Sequence, residues 1–447
     1  MNVNDVSFLN KTTVNKIFYV KNINQIQKII LLAQKNNKKI SIAGSKHSMG
    51  GHILCDDCYY IDITKMKKMK LINNNKLRVE SGATFCDIIK FLNKFKKTVC
   101  SMQSYCNFTI GGSISVNAHG IISDKHISET VCELTLINSN GEIKICSNKK
   151  NKQLFKLSMG GYGMFGIIYD CVIKIQNNCL YTPTIHNISA KSYNQFAQNN
   201  LLKKNIFKIT RINMSDLNNY MVIVYKKNNN VPVKYKYKKN KKQIIKKIFF
   251  NYLGSTSTFK YIRSIFEIKN NKPIDFEILE TTPNQLMNYT TDVVTPLTPY
   301  SIFTFILQEY FIPFDKFNSF IKNFNTICSE YLLYKGIILL NVTIRIVNKD
   351  NITYLKYAKK KVYAFVLYFK VFKIIHGTLF KDFCNRLINL TLKNNGTFYL
   401  PYSLFFNKTQ LLKAYPNFNT FIKHKKKFDK NEIFFSNFYK YCYDILN

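Results

Sequence analysis

ISIAGSKHSMGG, residues 40–51, is one of two glycine-rich loops in this chain; the other is TIGGSISVNAHG, residues 109–120. Both carry small residues that allow a backbone to approach a ligand closely. Because glycine has no Cβ, its N–H groups can cradle phosphate oxygens or lie flat against a planar ring. Two such loops in one basic chain predict a large ligand with a pyrophosphate and a flat ring system. A dinucleotide cofactor fits that description.

The composition predicts a folded and strongly basic protein. The chain has 447 residues, enough for two domains, and 46% of them are hydrophobic. The formal charge is +41, and because the lysines are scattered we interpret most of it as a solvated surface. One basic segment, residues 226–247, holds ten lysines. We interpret this segment as a mobile loop that contacts an anionic membrane surface, and we expect no nucleic-acid partner.

The twelve cysteines show no repeating spacing. Cys55 and Cys58 form one CxxC, which we interpret as a loop with two free thiols because no second pair lies at zinc-finger distance. No group of His, Asp and Glu has metal-ligand spacing, so no metal site is expected. The first residues lack the features of an export signal, and no uncharged apolar run is long enough to cross a bilayer. We therefore expect a cytoplasmic protein with reduced cysteines.

Strand and helix patterns alternate irregularly in the first part of the chain. Helical periodicity covers residues 24–36 and 84–95. Residues 131–146 read as a hairpin about an Asn140–Gly141 turn, and an apolar strand covers residues 167–175. This mixture lacks regular βαβ alternation, so it predicts an α+β fold.

The amino-acid composition changes after about residue 178, where glycines become sparse and aromatic runs dominate. Residues 304–311, 337–346 and 362–369 have the pattern of strands, and residues 314–331 that of a helix. These elements predict a second region built on an antiparallel sheet.

A family resemblance rests on several of these segments. In the first region they are AGSKHSMGG (43–51), SGATF (81–85), FTIGGSISVNAHG (108–120) and GGYGMFGIIYDCVI (160–173); later ones are EYFIP (309–313), NVTIRIV (341–347) and GTFYLPYSL (396–404). As a set they resemble FAD-linked oxidoreductases of the vanillyl-alcohol-oxidase type, whose flavin domain is of the para-cresol-methylhydroxylase type. The chain is most similar to the aldonolactone and alditol oxidases and to the decaprenylphosphoryl-ribose oxidases.

The resemblance implies a division of the chain. We expect a two-lobed FAD-binding domain of the para-cresol-methylhydroxylase type at residues 10–178. A substrate or cap domain, with an antiparallel sheet flanked by helices, would follow at residues 179–395 and carry the basic insertion 226–247. Residues 396–447 would form a C-terminal segment that returns to the flavin site.

FAD is the cofactor that the resemblance implies. The first loop would wrap its pyrophosphate, the second would lie near the ring and ribityl chain, and the strand at 167 would meet the adenine. Backbone N–H groups and hydroxyls suit an anionic cofactor. The residues so assigned are Ala43, Gly44, Ser45, Lys46, His47, Ser48, Met49, Gly50, Gly51, Ser104, Thr109, Ile110, Gly111, Gly112, Ser113, Val116, Asn117, His119, Ile167, Ile168 and Tyr399.

His47 is the candidate for a covalent bond to FAD. In the aldonolactone and alditol oxidases a histidine at this place in the loop is bonded to the flavin 8α-methyl group, whereas the decaprenylphosphoryl-ribose oxidases lack it and bind FAD noncovalently. The alternative is that His47 only packs in the loop. Berberine-bridge-like relatives use a second, cysteinyl bond near Cys106, but the position is offset by about one residue, so we interpret Cys106 as a small buried thiol.

The substrate side departs from the family pattern. Where the alditol-type oxidases carry Glu-x-Arg, this chain has Thr343, Ile344 and Arg345, so the arginine remains and the acid is absent. Tyr368 and Tyr402 stand at or near the places of the family's histidine and lysine. A tyrosine hydroxyl can hydrogen-bond or, once ionised, accept a proton from an alcohol. We assign catalytic roles to Arg345, Tyr402 and Tyr368, with core packing as the alternative for both tyrosines.

The leading functional hypothesis is an FAD-dependent oxidoreductase that oxidises a CH–OH group of a sugar-like alcohol, aldonolactone or polyol by hydride transfer to flavin N5. Oxygen or another acceptor would reoxidise the flavin. One alternative is a decaprenylphosphoryl-ribose-oxidase-like enzyme acting on a lipid-linked sugar, peripheral to the inner face of a membrane through residues 226–247. A second alternative is a non-catalytic basic binding protein on the same fold.

Overall fold

The structure is a computed structural model that describes residues 1–203, 206–228, 257–269, 281–294, 302–332 and 336–447. Most of the basic segment, residues 229–247, lies outside the described residues, and residues 226–228 end a strand. Within the described ranges, no helix is long and apolar enough to cross a membrane.

The described strands and helices are interspersed along the chain without regular alternation. The strands are β1 (Asn2–Val3), β2 (Thr12–Thr13), β3 (Lys16–Tyr19), β4 (Ile40–Ala43), β5 (Tyr59–Asp62), β6 (Met69–Asn73), β7 (Lys76–Glu80), β8 (Lys97–Val99), β9 (Val131–Ile137), β10 (Ile143–Ser147), β11 (Ile167–Asn177), β12 (Leu180–Ser189), β13 (Ile206–Ile212), β14 (Asn219–Asn228), β15 (Phe303–Pro313), β16 (Ile337–Val347), β17 (Val362–Phe372) and β18 (Thr397–Phe398). The helices are α1 (Ile23–Lys35), α2 (Phe85–Asn93), α3 (Ile110–Ser115), α4 (Lys152–Ser158), α5 (Ala190–Asn200), α6 (Ser257–Lys269), α7 (Pro283–Val294), α8 (Phe317–Leu332), α9 (Lys381–Lys393), α10 (Lys408–Ala414), α11 (Phe418–Phe428) and α12 (Asn437–Leu446).

A small parallel sheet leads into the first glycine loop. Its order is β3-β5-β4, and β4 ends at Ala43, immediately before Gly44. Helix α1 covers this sheet because its apolar residues recur at helical spacing and are buried: Ile26, Ile29, Ile30 and Ala33. The helix begins where the Asn22 side chain accepts a hydrogen bond from the Gln25 N–H. The first loop is therefore fixed to a packed unit at its N-terminal end.

An antiparallel sheet leads into the second glycine loop. Its order is β10-β9-β11-β7-β6, with β8 pairing the far end of β11. The β9–β10 hairpin turns at Gly141, whose φ of +77° favours glycine. Helix α2 follows β7 and begins with a capping box between Thr84 and Asp87. An isolated antiparallel bridge between Thr84 and Thr109 then brings the second loop against the start of α2.

A seven-stranded antiparallel sheet spans the rest of the chain. Its order is β12-β14-β13-β16-β17-β15-β18. Helices α5, α8 and α9 contact its strands. Strand β18 pairs β15 through Tyr310 and Phe398, although 88 residues separate them. This pairing brings the chain after residue 398 back to the sheet, and Tyr399 and Tyr402 follow directly.

The prediction of an α+β fold with mixed connectivity is confirmed, and so is the antiparallel sheet flanked by helices. The helices expected at residues 24–36 and 84–95 are α1 and α2, and the hairpin at residues 131–146 is β9–β10. Strand β18 covers only two residues because the chain leaves the sheet at Tyr399.

A disulfide joins Cys86, at the start of α2, to Cys106, just before the second glycine loop. The interpretation of Cys106 as a free thiol, and the expectation that all cysteines are reduced, are therefore wrong for this pair. Two backbone hydrogen bonds hold the segments side by side, from Phe85 N–H to Phe108 C=O at 3.0 Å and from Cys86 N–H to Cys106 C=O at 2.8 Å. The other ten cysteines, all within described residues, are free.

The disulfide predicts a thiol count. The denatured protein should expose ten thiols before reduction and twelve after it. Cross-linking residues 20 positions apart restricts the unfolded chain, so Cys86→Ser should lower the free energy of unfolding by about 3 kcal/mol. Thiol titration and denaturant unfolding measure the two effects. The matched control is Cys132→Ser, which removes a half-buried free thiol; an equal loss in both variants would contradict the cross-link.

Candidate active site

A cleft lies between the two glycine loops, and the empty space within it and at its mouth, open solvent included, is about 1010 Å³. Its walls come mainly from four stretches of chain, residues 42–53, 103–116, 162–168 and 399–402, to which Ile63 and Leu307 add. The sequence-predicted residues that line it are Gly44, Ser45, Lys46, His47, Ser48, Thr109, Gly111, Gly112, Ser113, Val116, Ile167, Ile168, Tyr399 and Tyr402. The loops, the adenine-side strand and the C-terminal segment thus meet in one place.

The two glycine loops touch each other through Thr109. Its N–H donates to the Ser45 hydroxyl at 3.1 Å, and a Cβ added at Gly44 would lie 2.2 Å from the Thr109 Oγ1. The first loop also has Lys46 at a φ of +63°, a left-handed conformation that is uncommon for a residue with a side chain. The loops therefore form one continuous backbone wall along the cleft.

A glycine is required at position 111 because a neighbouring segment of the chain packs directly against it. Its N–H donates to the Ser81 C=O at 2.9 Å, and an added Cβ would lie 2.6 Å from the Ser81 Cβ. From sequence we attributed this glycine to close approach by a ligand. The structure adds a second cause, because the turn before α2 already fills the space beside Gly111.

Some cleft residues were missed by sequence analysis. Tyr162, Gly163 and Gly166 line the cleft between the second loop and β11. Gly163 has a φ of +76° and Gly166 a φ of +139°, both in the region that favours glycine. The GGYGMFG segment belongs to one of the stretches that carry the family resemblance, but from sequence we assigned none of its residues to the cofactor.

His47 lines the cleft and lies half-buried between aromatic rings. Its ring centroid lies 4.7 Å from that of Phe108 and 5.3 Å from that of Tyr105, both edge-on. Burial lowers the pKa of His47 to about 4. The imidazole is therefore neutral at physiological pH, and one of its two ring nitrogens keeps a free lone pair.

A buried hydrogen-bonded group borders the cleft through Tyr402; we call it the Glu309 cluster, made of Glu309, His119, Tyr402 and Arg345. The Tyr402 hydroxyl donates to Oε2 of Glu309 at 3.2 Å, and the His119 Nε2 is hydrogen-bonded to Oε1. Arg345 donates to the Ser104 hydroxyl at 3.2 Å. Burial lowers the pKa of Arg345 while the Glu309 charge raises it. The guanidinium therefore depends on Glu309 as its nearby counter-charge.

The strand register explains why these side chains share a face. Glu309 on β15 lies opposite Val366 on β17, which lies opposite Thr343 on β16. Phe311, Ala364 and Arg345 form the next row, so Glu309 and Arg345 project from the same side of the sheet. Sequence analysis missed Glu309 because this relation depends on which strands pair. The available signal was a single acid within the apolar strand FTFILQEYFIP.

The remaining predicted residues lie outside the cleft lining, as far as the described residues show. Asn117 holds the loop itself, since its side chain donates to Asp350 at 3.0 Å and accepts from the Ser128 N–H. Tyr368 is half-buried on β17, with its ring 5.9 Å from that of Phe305. The other residues outside the lining are Ala43, Met49, Gly50, Gly51, Ser104, Ile110, His119 and Arg345.

The cleft fits an FAD. Backbone from two glycine loops forms one wall, Ile167 and Ile168 form an apolar stretch, and Tyr399 and Tyr402 close another side. His52 also lines the cleft, and its buried Nδ1 has no partner among the described residues. A ring system with polar edges and a long phosphate chain would match these surfaces.

Comparison with known proteins bears on the same residues. A family model described as an FAD binding domain matches residues 14–147. The chain contains an FAD-binding domain. This domain includes both glycine loops, and FAD is thereby confirmed as the cofactor that the sequence predicts.

Curated relatives of the FAD-binding domain include two lactone oxidases. L-gulonolactone oxidase from Bos taurus is 27% identical over 154 residues, or 34% of this chain and 35% of that protein. D-arabinono-1,4-lactone oxidase from Candida glabrata is 26% identical over 35% of this chain and 31% of that protein. The chain spans about a third of the length of the curated relatives it matches.

A solved structure shares the fold of nearly the whole chain. The 6-hydroxy-D-nicotine oxidase from Arthrobacter nicotinovorans superposes with a TM-score of 0.67 at 13% identity, covering 96% of this chain and 93% of that one. The predicted resemblance to flavoproteins of the vanillyl-alcohol-oxidase type, with their para-cresol-methylhydroxylase-type flavin domain, is confirmed at the level of the fold.

The packing at Gly111 predicts a local and measurable defect. Gly111→Ala should reduce FAD retained on purification at least tenfold, because a Cβ 2.6 Å from the Ser81 Cβ forces the loop away from the cleft. Overpacking of this kind costs about 1–3 kcal/mol of stability. Gly377→Ala is the control, since nothing lies within 4 Å of its added Cβ. Flavin absorbance per chain decides the outcome, and equal retention in the two variants would contradict the packing role.

Proposed function

We propose that the protein is an FAD-dependent oxidoreductase that oxidises the CH–OH group of a sugar-like alcohol, aldonolactone or polyol. The observation that carries this proposal is a buried acid–base group beside the cleft of an FAD-binding domain, reached from the cleft through Tyr402. Oxidation of an alcohol needs a hydride acceptor and a proton acceptor at one place. The cleft and the Glu309 cluster together offer both.

The curated relatives support the choice of substrate class. Two of them are named for lactone oxidation, and their similarity to this chain covers the FAD-binding part. The substrate side lies in the seven-stranded sheet and in the segment after β18, beyond that similarity. Its polar side chains must therefore carry the choice of substrate.

When bound, FAD supplies the acceptor for a hydride from the substrate carbon. The backbone of residues 44–48 and 109–116 would hold it, and the rings of Tyr399 and Tyr402 would limit access of water. Arg345 would stabilise negative charge that develops on the substrate oxygen, because a buried cation acts strongly in a site of low dielectric. Tyr368, half-buried on the same sheet, is proposed as a substrate contact.

The absence of an acid at Thr343 distinguishes this chain from the Glu-x-Arg pattern. A threonine in that row offers a neutral hydroxyl in place of a carboxylate. We therefore propose a substrate that does not depend on an ionic contact at this position. The neutral hydroxyl of Thr343 is also compatible with the alternative, a decaprenylphosphoryl-ribose-oxidase-like enzyme that acts on a lipid-linked sugar.

Other predictions from sequence remain proposals. These are the domain limits at residues 178 and 395, the use of oxygen or another electron acceptor, and a peripheral contact of the basic segment with an anionic membrane. Residues 229–247 of that segment lie outside the described residues.

A substrate panel tests the proposed function. Purified protein should be yellow, and anaerobic addition of an aldonolactone, a polyol or a lipid-linked sugar should bleach its flavin absorbance. Arg345→Met should slow bleaching by about 100-fold or more, because one oriented charge at a developing oxyanion contributes about 3–4 kcal/mol. Lys356→Met, a half-buried cation in the loop before β17, is the control. A panel in which no alcohol or lactone bleaches the flavin would refute the proposal.

We further propose that His47 carries a covalent bond to FAD. The flavin should remain with the denatured protein as a fluorescent band, and His47→Ala should lose that band. Bond formation needs the neutral imidazole. Because the pKa of His47 is lowered to about 4, apo-protein mixed with FAD at pH 5.5 should form the bond nearly as fast as at pH 7.5. A histidine with the ordinary pKa would be only about one-tenth neutral at pH 5.5.

His52→Gln is the matched control, since His52 is a second buried histidine of the same cleft. It should keep the fluorescent band. Release of all flavin from the unaltered protein by acid precipitation would instead establish noncovalent binding.

A further inference from the structure

Glu309 is a buried acid whose two oxygens are both engaged. Its side chain is 2% exposed. Oε1 is hydrogen-bonded to the His119 Nε2, and Oε2 accepts from the Tyr402 hydroxyl at 3.2 Å. Tyr402 itself lines the cleft. A hydrogen-bonded path therefore runs from the cleft surface, through one hydroxyl, to a carboxylate in the protein interior.

The charges around this carboxylate are balanced without a bound ligand. Arg345 is half-buried and interacts electrostatically with Glu309 and Tyr402. Burial lowers the pKa of His119, which is 1% exposed, so its ring is neutral at physiological pH. One guanidinium and one carboxylate then sum to zero. A neutral His119 donates from Nε2 to the carboxylate, and its Nδ1 has no partner among the described residues.

Tyr402 cannot serve as the resting base. Burial, and next the charge of Glu309, raise the pKa of its hydroxyl well above the ordinary value. The tyrosinate suggested from sequence would place a second negative charge beside Glu309 in a site of low dielectric. Tyr402 can accept a proton only if it gives its own proton away in the same step. Among the described residues, the acceptor that its hydroxyl contacts is Oε2 of Glu309.

We propose that Glu309 is the proton acceptor for the substrate hydroxyl, with Tyr402 as the relay; the inference rests on the proposed function. The substrate O–H bond breaks and its proton moves to the Tyr402 oxygen, while the Tyr402 proton moves to Oε2 of Glu309. Tyr402 is neutral before and after, and Glu309 becomes a carboxylic acid. The negative charge moves to the substrate oxygen, where Arg345 can stabilise it. His119 is a positioning residue that holds Oε1.

Three variants test the relay. Glu309→Gln keeps the shape of the side chain but cannot accept a proton, and Tyr402→Phe removes the connecting hydroxyl. Each should slow anaerobic flavin bleaching by about 10²–10⁴-fold, the usual contribution of a positioned proton acceptor. The double variant should be no slower than the slower single one, because both act in one path. Glu309→Asp keeps an ionised carboxylate and should recover part of the rate, whereas a role that depends only on the shape of the side chain would instead favour Glu309→Gln.

Two readouts do not depend on the rate of bleaching. FAD content per chain should stay unchanged in all three variants. In wild-type protein whose flavin has been reduced anaerobically by a substrate alcohol, infrared difference spectroscopy against the oxidised protein should detect a protonated carboxyl band that Glu309→Gln abolishes. The matched controls are Glu432→Gln and Tyr439→Phe, which break a second tyrosine–glutamate hydrogen bond among residues that do not line the cleft. Both controls should bleach at the wild-type rate.

The outcomes separate this inference from the proposed function. If Glu309→Gln bleaches its flavin as fast as the wild-type protein does, the relay is overturned and the proposed oxidation still holds. Independent, multiplicative losses in the double variant would also overturn it. If no alcohol bleaches wild-type flavin, the proposed oxidation fails, and the inference fails with it. If Glu309→Gln does not fold, Glu309→Asp and Tyr402→Phe still decide, because an unimpaired Tyr402→Phe excludes the relay.

Discussion

The contact between the two glycine loops at Thr109 is the constraint on which the cleft depends. Gly44 has no room for a side chain beside Thr109, and the Thr109 N–H is bonded to Ser45. The same residue pairs with Thr84 at the start of α2. A parallel sheet on one side and an antiparallel sheet on the other are thereby locked together by backbone contacts. The wall that meets the cofactor is rigid because it is fixed at both ends by packed elements.

Electrostatics place a second constraint on the substrate side. A half-buried Arg345 would still be costly alone, because the loss of hydration around a charge is compensated only by a close counter-charge and hydrogen bonds. Glu309 supplies the charge, and Ser104 from the flavin-binding part supplies a hydrogen bond. The Arg345–Ser104 bond spans 241 residues of sequence. Burying the arginine thus helps to fix the seven-stranded sheet against the loop before α3.

The parts of the fold that could be predicted from the sequence are those governed by local chemistry. Helix α1 followed from apolar spacing, the β9–β10 turn from Asn140–Gly141, and the FAD site from two short loops. What sequence reasoning missed depends on pairing between distant segments. Glu309 joins Arg345 only through the register of three strands, and Cys86 meets Cys106 only through two backbone hydrogen bonds. No local pattern encodes either relation.

The pairing of strand β18 with β15 is another relation between segments that are distant in sequence. It has only two residues, and its pairing with β15 sets where the chain leaves the sheet. The Tyr399 N–H still donates to the Glu309 C=O at 3.0 Å, and three residues later the Tyr402 hydroxyl meets the Glu309 side chain. Backbone and side chain of one acid thus position two tyrosines of the cleft. A shift of β18 by one residue along β15 would move Tyr402 away from the Glu309 side chain, whereas the relation of Glu309 to Arg345 depends on β15, β17 and β16 and would not change. The short edge strand is therefore under a functional constraint that its length and apolar sequence do not reveal.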